Sequence, residues 1–292
     1  MASTISDSDT QNRPILVLGA SGRLGQMLRL CWPDQSTLQA HSRRPQTGFV
    51  SFDLILEPEK SVAAMRHARA VICLSGVTGA TADRTENVYS RNTDLALAAI
   101  RAAHAASVER VFLASSAAVY GRGADIQDEE SPCTPVSDYG RAKLNMEEAG
   151  LAEARALGQQ VTALRIGNVA GADAVLGGWH DQMALDVLAD GRTPRRSYIG
   201  PCTLARTIHT LTQKTALPEI LNIAAPGVVE MGALLDAADL PWAHRTPGPG
   251  VIEEVALCTK RLERHAAFAP EDSTPAGMVA DWRAYQALLQ RP

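Results

Sequence analysis

Pro14-Ile15-Leu16-Val17-Leu18-Gly19-Ala20-Ser21-Gly22-Arg23-Leu24-Gly25 is the stretch that decides the fold. Four consecutive apolar residues, Ile15 to Leu18, without polar alternation, are what a parallel strand buried on both faces requires. Glycines follow at 19, 22 and 25, and Leu24, Met27, Leu28 and Leu30 then recur at helical spacing until Pro33 stops the helix. The order is strand, glycine turn, helix. Glycines in such a turn let the backbone approach a pyrophosphate, and the helix N-terminus turns N–H groups and a positive dipole end towards it. The spacing is GxxGxxG rather than GxGxxG, so its weight comes from its place between strand and helix.

Outward from this turn the alternation continues. Apolar runs predict further strands at 37–41, 49–54, 70–74, 110–114 and 161–166, and the apolar spacing predicts long helices at 85–106 and 139–157. Strands alternating with helices imply an α/β fold, a Rossmann doubly wound parallel sheet with right-handed crossovers. Beyond Gly167 the rhythm loosens, with Gly177-Gly178, Thr193-Pro194 and Thr246-Pro247-Gly248-Pro249-Gly250 breaking short elements. The expected organisation is a disordered leader at 1–13, a dinucleotide-binding domain at 14–167 and a small substrate-binding lobe at 168–292. One strand of that lobe, at 219–224, is expected to return to the sheet.

The chain has 292 residues, with 28 Lys plus Arg against 32 Asp plus Glu and a formal charge of −4. That excludes a nucleic-acid binder held by bulk charge. A 46% hydrophobic and 21% charged composition excludes disordered and fibrous classes. Asp7 and Asp9 stand where a signal peptide needs apolar residues, and no apolar run approaches a membrane span. Neither nucleic acid nor membrane is an expected partner. The five cysteines, Cys31, Cys73, Cys133, Cys202 and Cys258, are odd in number and never spaced CxxC. They read as free thiols in a reducing cytoplasm, not as a disulfide framework or a metal site.

Three further features carry chemistry. The segment Ala40-His41-Ser42-Arg43-Arg44 closes the second strand without the acid that would accept from an NAD ribose. Arg43, with Arg44 and Arg23, therefore points to the 2′-phosphate of NADP, with NAD still open. Asp53, at the end of the third strand, is placed to accept from the adenine amino group. In Tyr139-Gly140-Arg141-Ala142-Lys143 the phenol and ammonium are four residues apart on one helix face. A cation there is expected to lower the tyrosine pKa for proton transfer. Only four lysines occur in the chain, so this spacing seldom arises by accident. Ser115-Ser116 follows the fifth strand, where ligands of doubly wound sheets bind, and Ser116 is placed to orient a substrate oxygen towards Tyr139.

On these residues the chain resembles the extended short-chain dehydrogenase/reductase family, of the NAD-dependent epimerase/dehydratase type. The carrying motifs are the Gly19, Gly22, Gly25 turn, Asp53, Asn92, Ser116 in SSAAVYG, YGRAK with Tyr139 and Lys143, and 164–171, which is similar to the family's LRxxNVxG segment. The resemblance implies a catalytic triad of Ser116, Tyr139 and Lys143. It implies a cofactor-binding set of Gly19, Ser21, Gly22, Arg23, Leu24, Gly25, Arg43, Asp53, Leu54, Asn92, Tyr139 and Lys143. Asn168 is similar to the family's substrate-contacting asparagine, Arg196 to an arginine that contacts a nucleotide diphosphate, and Arg245 to a second such contact.

The reaction so implied interconverts a secondary alcohol and a ketone on a nucleotide sugar, by a 4-epimerase or a 4-reductase using NAD(P). A homodimer formed through helices 85–106 and 139–157 is implied as well. Dehydratases of the family carry an Asp-Glu pair where this chain has Ala117 and Ala118, so dehydration is not expected. Two alternatives stay open: an NADPH-dependent reductase of a non-nucleotide carbonyl compound, and a non-catalytic NADP-binding redox sensor.

Overall fold

The apolar run at the start of the chain lies between two other strands of a seven-stranded sheet. The structure is a computed structural model and describes residues 13–77, 88–122 and 125–291. The expected leader therefore lies outside the described residues except for Arg13. Strands β1 (Ile15–Leu18), β2 (Leu38–Ser42), β3 (Val50–Ser51), β4 (Ala70–Cys73), β5 (Arg110–Ser116) and β6 (Gln160–Ile166) come first. Short strands β7 (Asn168–Val169), β8 (Ala184–Asp186), β9 (Arg195–Arg196) and β10 (Tyr198–Ile199) precede β11 (Ile220–Ile223). The sheet order is β11-β6-β5-β4-β1-β2-β3, and every pairing is parallel. Chain order reverses between β1 and β4, which opens a crevice beyond their carboxyl ends.

Side-chain alternation along β1 divides the interior in two. Ile15 and Val17 meet Met27 and Leu28 of helix α1 (Arg23–Cys31) on one face of the sheet. Leu16 and Leu18 meet Met65 of α2 (Pro58–Met65), Ile100 of α3 (Arg91–Ala105), and Met146 and Leu151 of α4 (Asp138–Leu157) on the other. All four β1 side chains are fully buried, each worth roughly 1.5–3 kcal/mol. The first face also takes Leu204, Ile208 and Leu211 of α5 (Pro201–Thr212).

Several boundaries differ from the sequence expectation. The third strand shrinks to Val50–Ser51, because Asp53 Oδ1 accepts the Ile55 and Leu56 N–H groups at 3.0 Å each and turns the chain. The helix expected at 85–106 begins at Arg91 after a 3₁₀ turn at Val88–Ser90, and 85–87 lie outside the described residues. The strand at Ile220–Ile223 pairs with β6 at the sheet edge.

The lobe has its own apolar cluster, in which Tyr198 packs with Leu234 and Leu235 of α6 (Met231–Ala237). Met278 and Val279, from the closing helix Pro275–Leu289, complete it. Asp281 of that helix accepts the Cys202 and Thr203 N–H groups at 2.9 Å each and so caps α5. The reading of five free thiols is corrected here. Cys31, ending α1, and Cys202, beginning α5, form a disulfide with a Cα–Cα distance of 4.8 Å, while Cys73, Cys133 and Cys258 are free. The packing of α1 on α5 brings together two residues 171 positions apart. Among the described residues no helix is long and apolar enough to cross a membrane.

Candidate active site

The crevice above β1 and β4 is a cleft of about 660 Å³, lined on one side by Gly19, Gly22, Arg23, Leu24 and Gly25. Leu74, Gly76, Ser115, Ser116 and Tyr139 form its floor, and Ile166 to Val169, Ala172 and Asp173 form the other side. Gly19 has φ +75°, and a Cβ there would lie 2.8 Å from the Ser75 nitrogen. A Cβ on Gly25 would lie 2.5 Å from the Ala20 Cα, so glycine lets α1 start close against the strand. Gly22 is the N-cap of α1 and no side chain caps that end. An uncapped helix N-terminus facing an open cleft fits the pyrophosphate of a dinucleotide.

The proposed catalytic residues meet at the floor. Ser116 ends β5, and its Oγ accepts the Ala118 N–H at 3.2 Å, which points the hydroxyl along the cleft. Ser137 caps α4 by accepting the Gly140 N–H at 3.0 Å. Gly140 is indispensable to the approach, since a Cβ there would lie 2.5 Å from the Ala118 oxygen. That close contact brings the Tyr139 phenol to the part of the cleft lining that also holds Ser116. Lys143 lies beneath them, 6% exposed, with Nζ donating to the Ala114 oxygen at 2.7 Å and 5.9 Å from the Tyr139 ring centroid.

The expected depression of the Tyr139 pKa is absent. Burial raises it, and the Ser116 hydroxyl pulls it back only in part. Lys143 itself is pushed down to about 8 by burial, with Cys73 and Glu147 acting the other way. Desolvation outweighs the cation beneath the ring.

The remaining expected residues divide between the cleft and elsewhere. Asn168 lines the cleft, whereas Ser21 and Arg43 are exposed beyond its lining. Leu54 is buried in the core beside Leu16 and Leu18. The Asp53 carboxylate serves its own turn. Burial works to raise its pKa, but the Leu56 and Ile55 N–H groups with Arg91 and Arg43 bring it below the usual value. Asn92 is fully buried and bonds Val77 twice, accepting its N–H at 2.7 Å and donating to its carbonyl at 3.2 Å. It shapes the loop after β4 from behind.

Arg196 and Arg245 also lie outside the cleft lining. Arg196 donates to the Arg195 carbonyl at 2.7 Å and the Ile252 carbonyl at 2.8 Å. Arg245, on the strand Ala243–Arg245, is paired with Asp186 at 2.7 and 3.0 Å. The expectation that both face a diphosphate is not met by their side chains, because backbone carbonyls and a carboxylate hold them elsewhere.

Three residues of the site were not singled out from the sequence. His41, at the end of β2, takes the Gly19 N–H on Nδ1 at 3.3 Å and donates Nε2–H to the Phe52 carbonyl at 2.9 Å. Burial lowers its pKa, so it is neutral and staples the glycine turn to the neighbouring strands. Asp173 lines the cleft and accepts the Tyr198 hydroxyl at 2.8 Å. Burial raises the pKa of Asp173 and that of Tyr198. The available signal for Asp173 was its place ahead of Gly177-Gly178, since its Oδ1 accepts the Leu176 and Gly177 N–H groups at 3.0 and 3.1 Å.

A family model described as the NAD dependent epimerase/dehydratase family matches residues 15–224. A dTDP-6-deoxy-L-talose 4-dehydrogenase (NAD(P)(+)) of Kitasatospora kifunensis is 30% identical over 233 residues, covering 75% of this chain and 73% of the relative. A UDP-glucose 4-epimerase of Azospirillum brasilense is 30% identical over 122 residues, 41% of this chain. The match spans only 34% of that epimerase. Among solved structures, MoeE5 in complex with UDP-glucose and NAD shares the fold with a TM-score of 0.72 and 22% identity, over 94% of this chain and 99% of that one.

Proposed function

The chain belongs to the NAD dependent epimerase/dehydratase family, and from that premise we propose an NAD(P)-dependent oxidoreductase or epimerase that interconverts a secondary alcohol and a ketone on a nucleotide sugar. The carrying observation is the meeting of Ser116 and Tyr139 over Lys143, across one cleft from a glycine cradle. Gly19, Gly22, Gly25 and the start of α1 would hold the cofactor pyrophosphate. The bound dinucleotide supplies the hydride acceptor or donor.

Ser116 positions the substrate oxygen. In the oxidative direction the substrate O–H proton passes to the Tyr139 oxygen as hydride leaves the carbon; in the reductive direction Tyr139 returns the proton to the carbonyl. Burial keeps Tyr139 protonated in the ligand-free protein, which suits the reductive direction. Lys143 spends one N–H on Ala114, and its remaining N–H groups would hold the nicotinamide ribose. Ala117 and Ala118, in the turn after Ser116, offer no acid or base for eliminating water.

Exposed Arg43 and Arg44 at the end of β2, a segment that closes without an acidic residue of its own, support NADP over NAD. A cytoplasmic homodimer joined through α3 and α4 completes the reading. The engagement of Arg196 and Arg245 away from the cleft favours, as a second reading, a carbonyl substrate without a nucleotide. A non-catalytic sensor would not need the assembled Ser116, Tyr139 and Lys143.

Tyr139→Phe tests the mechanism. With NAD(P)H and a panel of UDP- and dTDP-linked 4-keto sugars, kcat should fall roughly 10²–10⁴-fold while cofactor binding is retained. Turnover equal to the parent's would remove the proposed role.

A further inference from the structure

Another cavity lies at the opposite end of the sheet from the cleft. It holds about 280 Å³ and is walled by Leu151 and Ala154 of α4, Val161 of β6 and Leu217 of the loop leading into β11. Arg110, which opens β5, lines this cavity, whereas Ser116, which closes β5, lines the cleft. The length of that strand, about 20 Å, separates the two.

Arg110 is 6% exposed, and its guanidinium donates to neutral acceptors: Thr162 Oγ1 at 3.3 Å, the Thr215 carbonyl at 3.1 Å and Gln160 Oε1. One N–H on Nη1 and the Nε–H have no protein partner among the described residues. Glu219 also lines the cavity, but both its oxygens are held by Arg155, Oε1 at 2.9 Å. Burial pushes the Arg110 pKa down, and the exposed Glu109 offsets this only in part. A guanidinium stays charged regardless, so a buried positive charge is left without a paired carboxylate.

A second guanidinium at this end of the sheet repeats the pattern. Ala70 and Arg110 are register partners in the β4–β5 pair, and Arg69, just before Ala70, is 8% exposed. Arg69 donates to Gln213 Oε1 at 3.0 Å and Thr212 Oγ1 at 3.5 Å, both neutral, and its buried Nε has no partner. Two uncompensated charges therefore lie beneath one segment, 212–219, and together favour an anion in the cavity beside it.

Charge alone suits any anion, phosphate included, and the walls decide between them. An inorganic ion would meet Arg110 and leave the apolar walls wet, whereas a carboxylate with a hydrocarbon chain satisfies the guanidinium and buries the chain. We propose that this cavity binds a small organic carboxylate with an apolar body, its carboxylate on Arg110 and its chain against Leu151, Ala154, Val161 and Leu217. The site is separate from the cleft and does not depend on the reaction assigned there.

Hexanoate is the probe, with hexanamide as its uncharged counterpart and inorganic phosphate as the anion without a chain. Methyl NMR of the full chain, labelled at Leu and Val and kept at constant ionic strength, reads the site directly. Hexanoate should shift Leu151, Val161 and Leu217 together with a Kd of about 1 mM. Hexanamide and phosphate should bind there roughly 10-fold more weakly. Arg110→Met should weaken hexanoate roughly 10-fold and erase its advantage over hexanamide. Ala216 lines the cavity from its exposed side, so Ala216→Trp should narrow it and weaken hexanoate as well, which serves if Arg110→Met does not fold. The proposal is overturned if hexanoate leaves these methyls unmoved, if phosphate binds there as well as hexanoate does, or if the folded variants bind hexanoate like the parent.

Discussion

Lys143 holds its charge in a buried site. Its ammonium is buried and bonded to one carbonyl, and burial lowers its pKa from 10.5 to about 8. Between about pH 8 and 10.5 the unfolded chain therefore holds one more proton than the folded one, and this group's contribution to stability rises with pH. Below pH 8 the full cost of the buried charge is present. Lys143→Met removes that cost, so its stability relative to the parent should fall by about 2 kcal/mol between pH 7 and pH 10 in urea unfolding. A difference that stays constant or grows with pH would refute the buried-ammonium account. At this scale the sequence revealed residues set by backbone motifs: Gly19, Gly22, Gly25, Ser116, Tyr139 and Lys143. Asp173, Tyr198 and His41 were hidden because their roles arise from hydrogen bonds between segments, which no spacing encodes.

Helix α4 carries Tyr139 and Lys143, two of the three residues proposed to be catalytic, and its register depends on devices along its length. Ser137 caps it, Gly158 ends it at φ +69°, and Gly140 lets its first turn touch Ala118. One turn beyond Lys143, Glu147 accepts three bonds from Arg165 of β6, the closest at 2.8 Å, with both side chains buried. Arg165 also donates to Tyr120 Oη at 3.0 Å, and Tyr120 donates to Asn222 of β11 at 2.7 Å. The helix is thus tied to two strands. Glu147→Gln leaves a buried guanidinium without its counter-charge and should cost about 3 kcal/mol in denaturant unfolding, whereas Glu147→Leu with Arg165→Met should cost less. A loss below about 1 kcal/mol for Glu147→Gln would show that the pair does not anchor the helix. The long periodic elements were legible in the sequence because a continuous apolar run or a helical stripe specifies them locally. The third strand was overextended because side-chain bonding by Asp53 stopped it, a contact that apolar pattern does not report.

Across the whole molecule, α1 links the glycine turn to the C-terminal lobe at both ends. Near its start Arg23 donates to the Ala172 carbonyl at 2.6 Å, beside Asp173, and at its end Cys31 is bonded to Cys202. Between them the Tyr285 hydroxyl donates to Gln26 at 3.3 Å. These ties hold the glycine turn and the Asn168 side of the cleft at a fixed distance, as the proposed reaction between two bound molecules would require. The disulfide was illegible because an odd cysteine count and a separation of 171 residues say nothing about neighbours in space. Closing so long a loop stabilises by at most about 5 kcal/mol in the chain-entropy description. Reductant should therefore lower the parent's Tm by several degrees, and Cys31→Ser should reach the same lower Tm and no longer respond to it. Alkylation in denaturant without reductant should label Cys73, Cys133 and Cys258 only, with Cys31 and Cys202 added after reduction. Labelling of all five cysteines before reduction would leave the tie between α1 and α5 to packing alone.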